Sequence, residues 1–347
     1  MSFPEFDAGK IKVLFFSRGR GRGHAIPDIR IAAELGQICP DIQIRFVSYG
    51  TGARTVEELG HPFIDLGLPD TNGTAETTVL AGKLIGYLQP DLVVAHEEFA
   101  AMPVAKVFSK RTVMITDFFT DPDRYSMQSL SFADHILFTD QRGIYQEPPS
   151  AAGRTRYLGP VPTGFEFTRR DRPRARRELG LNADSTVVSV MPGSWTEDRA
   201  PILDLVLPAF EAIEGDKRLI WLAGQDHALI SARVNARPDV TVLESDWKID
   251  RLMVASDIVI AKVNRRTLVE LAMLGIRTLS ISYQLNPIDE IRAAALASNT
   301  TVSPADFRPN TLTLALTSPQ PKPLRLRSRS CAAEIAKIAS ESLRSTA

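Results

Sequence analysis

The sequence predicts an α/β protein built from two doubly wound parallel sheets in tandem. Short apolar runs typical of strands alternate with amphipathic segments of helical length, and a proline- and arginine-rich stretch at 159–185 interrupts this alternation once. Continuous apolar strands between helices are typical of parallel sheets that are covered on both faces. The chain has 347 residues, which is enough for two domains that each bury a core of their own.

The strands are predicted from short apolar runs rich in β-branched and aromatic residues. The first half contains such runs at 11–17, 42–49, 62–67, 91–96, 112–117, 135–140 and 156–159. The second half contains them at 186–193, 218–224, 240–245, 257–262 and 277–282. Helices are predicted between them, at 26–38, 74–88, 99–109, 199–213, 226–235, 248–255, 266–274 and 287–298.

The interruption at 159–185 sets the predicted boundary between an N-terminal domain at 1–162 and a C-terminal domain at 163–325. We interpret the interrupting stretch as a linker that leads into a short helix. A C-terminal segment at 326–347 contains a last predicted helix, which could pack back on the first domain. Ligands of doubly wound sheets bind outside the carboxyl ends of the strands. We therefore expect the functional residues in the loops after the strands, facing a cleft between the two domains.

The composition argues against several functional classes. Lys and Arg together number 41, as do Asp and Glu, so the net charge is zero and predicts no general attraction to nucleic acid. The two cysteines, Cys39 and Cys331, have no metal-ligand spacing and fit a reducing cytosol. No apolar run approaches the roughly 18 residues of a membrane helix, so we expect a cytoplasmic protein. The arginine run at 169–177 is predicted to be a solvated helix face, with peripheral membrane contact as the alternative.

The loop after the first strand combines glycines with arginines. It reads SRGRGRGHAIPD from residue 17 and leads directly into the first helix. Glycines let a backbone approach its ligand closely, and a helix N-terminus attracts anions. An NAD site is disfavoured, because the glycine spacing differs from G-x-G-x-x-G and the second strand ends in SYGTG without an acidic residue. The predicted phosphate or acceptor loop comprises Arg18, Arg20, Gly21, Arg22 and Gly23.

Titratable residues follow three strands of the first domain. His24 can exchange a proton near neutrality, so it is either a catalytic base or only a cap of the loop or helix. His96, Glu97 and Glu98 follow the fourth strand, and their alternative role is to enrich a helix N-terminus in carboxylates. Asp117 ends the fifth strand and lies on the same predicted edge of the sheet.

The second domain repeats the arrangement of strand, polar loop and helix. Hydroxyls and cations at a helix start suit a diphosphate, and a carboxylate one turn further in can accept both hydroxyls of a ribose. The alternative is a capping box made by Thr267 and Glu270. The predicted nucleotide-binding residues are Gly193, Ser194 and Thr196 after one strand, and Lys262, Asn264, Arg265, Thr267 and Glu270 after another.

Two of these stretches resemble a known family. GRGHAIPDIRIAAELG, at 21–36, resembles the first loop and helix of GT-B glycosyltransferases, above all those of family 28, which includes the bacterial peptidoglycan N-acetylglucosaminyltransferases. SDIVIAKVNRRTLVELAMLGIRTLSIS, at 256–282, is similar to the donor motif of that family. The matching positions are Asp257, Lys262, Thr267, Glu270 and Gly275.

The resemblance implies two Rossmann-like domains, the first for an acceptor and the second for a nucleotide-sugar donor. It implies metal-independent sugar transfer, usually with inversion, from a nucleotide sugar, above all a UDP-sugar, to an acceptor hydroxyl, without a cofactor. Glu270 would bind the ribose, and Thr267 and the Ser194 loop would bind the diphosphate. The implied residues on the acceptor side are His24 as the base, Asp117 and Glu97 as its rivals, and His96 and Glu98.

The chain departs from the family pattern at two positions of the donor motif. Asn264 stands where the family has a glycine, and Arg277 stands where it has a proline. The arginines of the first loop are also unusual, and they indicate either an anionic acceptor or charge on the leaving group. The D-x-D at 121–123 could bind a metal, although Pro122 favours a turn. Two other functions stay open, namely a nucleotide-sugar epimerase or hydrolase of the same fold, and a non-catalytic nucleotide-sugar-binding protein.

Overall fold

The computed structural model describes residues 5–71, 73–140, 142–160, 165–193, 199–235, 237–244, 248–263, 265–283, 299–325 and 329–344. The chain divides into two compact units, the first formed by Met1–Thr163 with Arg327–Ala347 and the second by Gly164–Leu326. Each unit contains one sheet, and the strand pairs of the described residues are parallel in both. The predicted fold class is therefore confirmed.

The first unit contains a seven-stranded sheet. Its strands are β1 (Ile11–Ser17), β2 (Ile42–Ser48), β3 (Phe63–Asp65), β4 (Leu92–His96), β5 (Arg111–Thr116), β6 (His135–Phe138) and β7 (Thr155–Tyr157). Its first helices are α1 (Ala25–Ile38), α2 (Gly50–Glu58), α3 (Thr74–Leu88), α4 (Ala101–Val107) and α5 (Tyr125–Ser129). The strand order is β3-β2-β1-β4-β5-β6-β7, so the direction of winding reverses between β1 and β4.

The second unit contains a six-stranded sheet. Its helices are α6 (Arg172–Glu178), α7 (Arg199–Glu211), α8 (His227–Val234), α9 (Ile249–Ala255), α10 (Arg265–Leu274) and α11 (Pro309–Thr317). Its strands are β8 (Thr186–Met191), β9 (Lys217–Leu222), β10 (Val240–Leu243), β11 (Ile258–Lys262), β12 (Thr278–Ile281) and β13 (Asn299–Val302). The order β10-β9-β8-β11-β12-β13 reverses between β8 and β11.

The C-terminal helix α12 (Cys331–Arg344) completes the core of the first unit. Cys331, Ile335 and Ile338 lie on one helical face and are buried against α1 and the sheet. The Ser330 hydroxyl, just before the helix, donates to Oε1 of Glu34 on α1 at 2.5 Å. Because a helix of this length is marginal by itself in water, we infer that burial of this apolar face stabilises α12.

Two arginines of the run at 169–177 form ion pairs with the same aspartate. Arg176 is only 5% exposed, which makes the prediction of a solvated face wrong at this position. Arg172 and Arg176 contact the two oxygens of the Asp257 carboxylate at 2.5 and 2.8 Å. Asp257, which belongs to the donor motif, therefore connects α6 to the start of β11. A buried guanidinium needs such a partner, because an unpaired charge would be costly in the interior.

All of the predicted strands are present, with ends that agree to within two residues. The sequence does not predict α2, α5, α11 or β13. The helix α2 begins with Gly-Thr-Gly, which is typical of a loop, and β13 is the short polar run Asn-Thr-Thr-Val. The predicted helix at 287–298 lies outside the described residues. None of the helices that the structure describes is long and apolar enough to cross a membrane.

We expect Ile338→Ala to lower the free energy of unfolding by about 2–5 kcal/mol, because truncation leaves a cavity where the side chain was fully buried. Urea denaturation followed by circular dichroism measures this loss. Lys337→Ala, at the exposed neighbouring position, is the control and should change the free energy by less than about 0.5 kcal/mol. Equal stability of the two variants would contradict the packing of α12.

Candidate functional site

The candidate site lies at the carboxyl ends of the central strands of the first unit. Ser17, the last residue of β1, is in register with His96, the last residue of β4, and His96 is in register with Ile115 of β5. The loops that follow these strands therefore leave the sheet side by side. This is also the point at which the strand order reverses, where doubly wound sheets bind their ligands.

Close packing fixes the path of the glycine–arginine loop. A Cβ atom on Gly19 would lie 2.3 Å from the backbone oxygen of Tyr49, so a larger residue does not fit there. Gly21 has a φ of 65°, in the left-handed region that favours glycine. Its N–H donates to the carboxylate of Asp70 at 3.3 Å. The glycines thus allow the loop to approach neighbouring protein atoms, and this conformation positions the arginines between them.

His24 and Glu97 form a hydrogen-bonded pair at this edge of the sheet. Nε2 of His24 lies 2.9 Å from Oε2 of Glu97, and Nη1 of Arg18 lies 3.4 Å from the same oxygen. The second oxygen of Glu97 is 3.4 Å from the Thr116 hydroxyl and 3.5 Å from the backbone nitrogen of Asp117. His24 precedes α1 but makes no side-chain cap hydrogen bond to it. The imidazole therefore does not cap α1 through a side-chain hydrogen bond.

The backbone of Glu97 is strained. Its φ of 54° lies in the left-handed region, which residues with a side chain adopt rarely. The Glu97 N–H donates to the carbonyl of Ile115 at 3.1 Å, which fixes the turn after β4. Such conformations cost free energy and are concentrated at functional sites, where surrounding contacts maintain them.

The carboxylate of Asp28 connects three elements beneath this pair. Asp28 is fully buried on the first turn of α1, where one oxygen accepts the Ser17 hydroxyl at 2.6 Å and the other lies 2.6 Å from Nδ1 of His96. The His96 ring in turn packs edge-on against the His24 ring, with centroids 4.7 Å apart. His96, predicted on the acceptor side, is thus a buried support of His24.

Glu98 has a different hydrogen-bond partner from Glu97, namely the hydroxyl of Tyr49. Burial raises the pKa of the Glu98 carboxyl, while the hydroxyl of Tyr49, which donates to Oε2 at 3.1 Å, and the guanidinium of Arg18 act in the opposite direction. Burial also raises the pKa of Tyr49, so its hydroxyl keeps the proton that it donates. Perturbed groups of this kind are common at binding and catalytic sites.

A cavity of about 280 Å³ opens beside these residues, within the first unit. Tyr49 and Phe99 contribute aromatic surface to its wall. The wall also contains three arginines, three hydroxyl residues and both glutamates, namely Arg18, Arg20, Arg124, Thr74, Thr77, Ser126, Glu97 and Glu98. Guanidinium groups and hydroxyls recognise phosphate and carboxylate oxygens, and they outnumber the acidic groups here. The cavity is therefore suited to a polar ligand that carries an anionic group.

The other candidates of the first unit lie around this cavity. Arg22 pairs with Glu58 at 3.7 Å, and Gly23 is exposed with open space around it. Asp117 is half-buried beside Glu97. In the D-x-D at 121–123, the carboxylate of the first aspartate accepts the backbone N–H of the second at 3.0 Å, which is the turn that Pro122 favours.

Several of the predicted nucleotide-binding residues lie in the described part of the second unit. Lys262 ends β11, with Nζ 5.3 Å from the ring centroid of Tyr283, and Thr267 lies in the first turn of α10. Glu270, one turn further, is 7% exposed, and Gly193 has a φ of 81° after β8. Ser194, Thr196, Asn264 and the side chain of Arg265 lie outside the described residues.

Arg277, which replaces the family's proline, has a structural role. Its guanidinium donates to the backbone carbonyl of Asp257 at 3.1 Å and to that of Ser318 at 2.8 Å. These bonds connect the chain before β12 to the start of β11 and the end of α11. Although the family has a proline at this position, the hydrogen bonds of Arg277 thus attach the donor motif to neighbouring backbone.

Several residues of the site were missed by sequence reasoning. Tyr49 and Arg124 line the cavity but follow no recognisable motif. Among the missed residues, Asp28 was the easiest to find from the sequence, because an acidic residue shares the buried face of α1 with Ala25 and Ile29. A buried carboxylate indicates hydrogen-bond partners, which are supplied here by Ser17 and His96.

We expect Asp28→Asn to lower the free energy of unfolding by about 1–3 kcal/mol, because the amide cannot accept from both Ser17 and His96 and leaves one buried donor unsatisfied. Urea denaturation measures the change. Asp41→Asn, at a carboxylate that is 78% exposed, is the matched control and should be close to neutral. An Asp28→Asn protein as stable as the control would contradict the proposed support.

Two relatives of the chain in sequence are both N-acetylglucosamine transferases. No protein-family model matches the chain. The sequence is 25% identical over 316 residues, 83% of this chain and 83% of the relative, to the UDP-N-acetylglucosamine–N-acetylmuramyl-(pentapeptide) pyrophosphoryl-undecaprenol N-acetylglucosamine transferase of Chlorobaculum tepidum. A relative of the same name from Salinibacter ruber is 25% identical over 76% of this chain and 74% of its own length.

The fold recurs in solved structures of low sequence identity. The MurG protein of Acinetobacter baumannii superposes with a TM-score of 0.60 at 14% identity, over 95% of this chain and 99% of that one. The UDP-GlcNAc 2-epimerase of Methanocaldococcus jannaschii superposes with a TM-score of 0.64 at 13% identity, over 95% and 99%. The resemblance seen in the two motifs is thus confirmed: the chain has the fold of GT-B glycosyltransferases and is similar in sequence to bacterial N-acetylglucosamine transferases.

Proposed function

We propose that the chain transfers a sugar from a UDP-sugar to the hydroxyl of an anionic acceptor, and that the pair His24–Glu97 removes the hydroxyl proton. The observation that carries this proposal is the 2.9 Å hydrogen bond between Nε2 of His24 and Oε2 of Glu97, beside a cavity that Glu97 lines. A base must lie within hydrogen-bond reach of the proton that it removes. The first unit would therefore bind the acceptor.

The carboxylate is the member of the pair that faces the acceptor. Nδ1 of His24 is buried, and its Nε2 is bonded to Glu97, whereas Glu97 forms part of the cavity wall. In the proposed step the acceptor O–H bond breaks and its proton passes to Glu97. The acceptor oxygen then bonds to the anomeric carbon while the nucleoside diphosphate leaves with the bonding electron pair. His24 is a positioning residue that holds the carboxylate by hydrogen bonding.

The arginines of the cavity support an anionic acceptor. Arg18, Arg20 and Arg124 reach the wall from two separate loops, so an anionic group between them can receive more than one guanidinium. The acceptor after which these relatives are named carries a pyrophosphoryl group. An acceptor with a phosphate or diphosphate near its reacting hydroxyl therefore fits this cavity.

The second unit would bind the donor through α10. Thr267 and Glu270 lie one turn apart on the same helix, close to its N-terminus, which favours anionic phosphates. Glu270 is buried to 7% exposure, so a bond to a ribose hydroxyl would be largely shielded from water. Lys262, which precedes this helix, would stabilise the charge of the leaving diphosphate.

An epimerase is the second candidate, because the fold is also that of the UDP-GlcNAc 2-epimerase mentioned above. An epimerase needs no acceptor, whereas a transferase does. Incubation with UDP-N-acetylglucosamine alone, followed by chromatography of the sugar nucleotides, separates the two. We expect the donor to remain unchanged, and formation of an epimer would favour the second candidate.

We expect Glu97→Gln to lower kcat by about 10²–10⁴-fold, because the amide cannot accept the proton, and to leave UDP affinity unchanged. Turnover is measured with UDP-N-acetylglucosamine and a water-soluble analogue of the relatives' pyrophosphoryl-linked acceptor. Glu58→Gln, at an exposed carboxylate of the same unit, is the matched control. Retained turnover in Glu97→Gln would assign the base role to Asp117 instead.

Arg124→Ala and Arg20→Ala should each raise KM for the same acceptor analogue by roughly 10-fold, because each variant removes charge-assisted hydrogen bonds to its phosphate oxygens. Arg54→Ala, at an exposed position of α2, is the control for loss of a surface charge. An unchanged KM in both cavity variants would show that the anionic group binds elsewhere.

We expect Glu270→Ala to weaken UDP binding by about 10–100-fold in calorimetry, because hydrogen bonds from ribose hydroxyls to a carboxylate are lost. Glu211→Ala, at a 57% exposed carboxylate of the same unit, provides the comparison. Thermal unfolding without ligand checks that Glu270→Ala still folds, and Glu270→Gln serves if it does not. Wild-type UDP affinity in a folded variant would refute the assignment.

A further inference from the structure

A group of three side chains at the edge of the sheet has the composition of a metal site. His24, His96 and Glu97 each place one possible ligand atom within 4.8 Å of the others. They come from the loop after β1 and from the end of β4 with the turn that follows it, which the register of β1 with β4 brings together. Two imidazoles and one carboxylate are a ligand set that zinc uses in proteins, with a fourth position open to water or substrate.

The orientation of His96 provides an independent observation. Its Nδ1 lies 2.6 Å from the buried carboxylate of Asp28, which makes Nε2 the nitrogen that could coordinate a cation. Histidine ligands of zinc characteristically donate their other ring N–H to a carboxylate in this way, which fixes the tautomer and increases the basicity of the ligand. Asp28 itself is held by the hydroxyl of Ser17 at 2.6 Å.

We propose that His24, His96 and Glu97 bind a Zn²⁺-class divalent cation and that this cation inhibits the acceptor side of the site. Imidazole ligands select zinc and neighbouring transition metals over Mg²⁺ and Ca²⁺, which prefer oxygen. Ligand atoms around tetrahedral zinc lie about 3.4 Å apart, so the widest separation in the group, at most 4.8 Å, needs to shorten by up to about 1.4 Å, and the 2.9 Å contact between His24 and Glu97 needs to lengthen slightly. The cation takes the place of the proton between His24 and Glu97, and that proton passes to solvent.

The inhibitory consequence rests on the proposed function, whereas the binding of the cation does not. A cation coordinated by Glu97 occupies the carboxylate that we propose as the base. Arg18 opposes binding, because its guanidinium lies 3.4 Å from the carboxylate oxygen of Glu97. Arg18 is 25% exposed, which leaves room for its side chain to move outward.

Calorimetric titration of the untagged, metal-free protein with ZnCl₂ tests the site without donor or acceptor. We expect one Zn²⁺ per chain, and a Co²⁺ titration should give the visible absorption of a tetrahedral complex. His24→Gln should abolish this binding. Asp28→Asn should weaken it by about 10–100-fold, as loss of an outer-shell partner does. Arg18→Gln should strengthen it by roughly 10-fold, since a competing cation is removed.

His227→Gln, in the second unit, is the matched control and should bind Zn²⁺ like the wild type. Circular dichroism checks that each variant is folded, and His24→Gln and Arg18→Gln carry the test if Asp28→Asn is not. Zn²⁺ binding that survives His24→Gln, or that is lost equally in His227→Gln, would overturn the proposal. Binding without inhibition of turnover would keep the site but contradict the role proposed for Glu97.

Discussion

The buried carboxylate of Asp28 is the interaction on which the candidate site depends. It joins the end of β1, through Ser17, to the end of β4, through His96, and it belongs to α1 itself. Because His96 packs edge-on against His24, this contact also orients the imidazole that binds Glu97. A carboxylate without solvent needs all of its partners, so the three elements cannot shift independently. These buried contacts therefore hold the ends of β1 and β4 and the first turn of α1 in fixed positions relative to one another.

The fold alone does not decide the chemistry, because transferases and epimerases share it. What favours transfer to an acceptor is the cavity in the first unit, with a carboxylate at its wall and guanidinium groups around it. Glu97 and Glu98 are adjacent in sequence but differ in role. The first is held by His24, and the second by the hydroxyl of Tyr49. Of these two carboxylates, it is that of Glu97 that contacts the imidazole of His24.

The periodicity of the sequence was sufficient to predict most strands of both sheets, but not to predict every residue of the candidate site. Apolar runs predicted strands such as β1 and β4 because parallel strands are buried on both faces, and their carboxyl ends located His24 and Glu97. The helix α2 was missed because Gly50 and Gly52 are typical of loops, and Asp70, a distant residue, bonds to its first turn. Arg176 and His96 show the same limit, since their burial depends on partners far away in sequence. Local patterns locate an edge of a sheet, whereas tertiary contacts decide which side chains face the ligand.

A crystal structure with the acceptor analogue and UDP bound would show directly whether Glu97 is the base. The quantity to measure is the distance from the reacting hydroxyl oxygen to the carboxylate of Glu97. We expect a hydrogen-bond distance of about 2.6–3.2 Å, with the anionic group of the acceptor on Arg18, Arg20 or Arg124. An acceptor bound away from this cavity, or a hydroxyl that contacts Asp117 while Glu97 stays bonded only to His24, would contradict it.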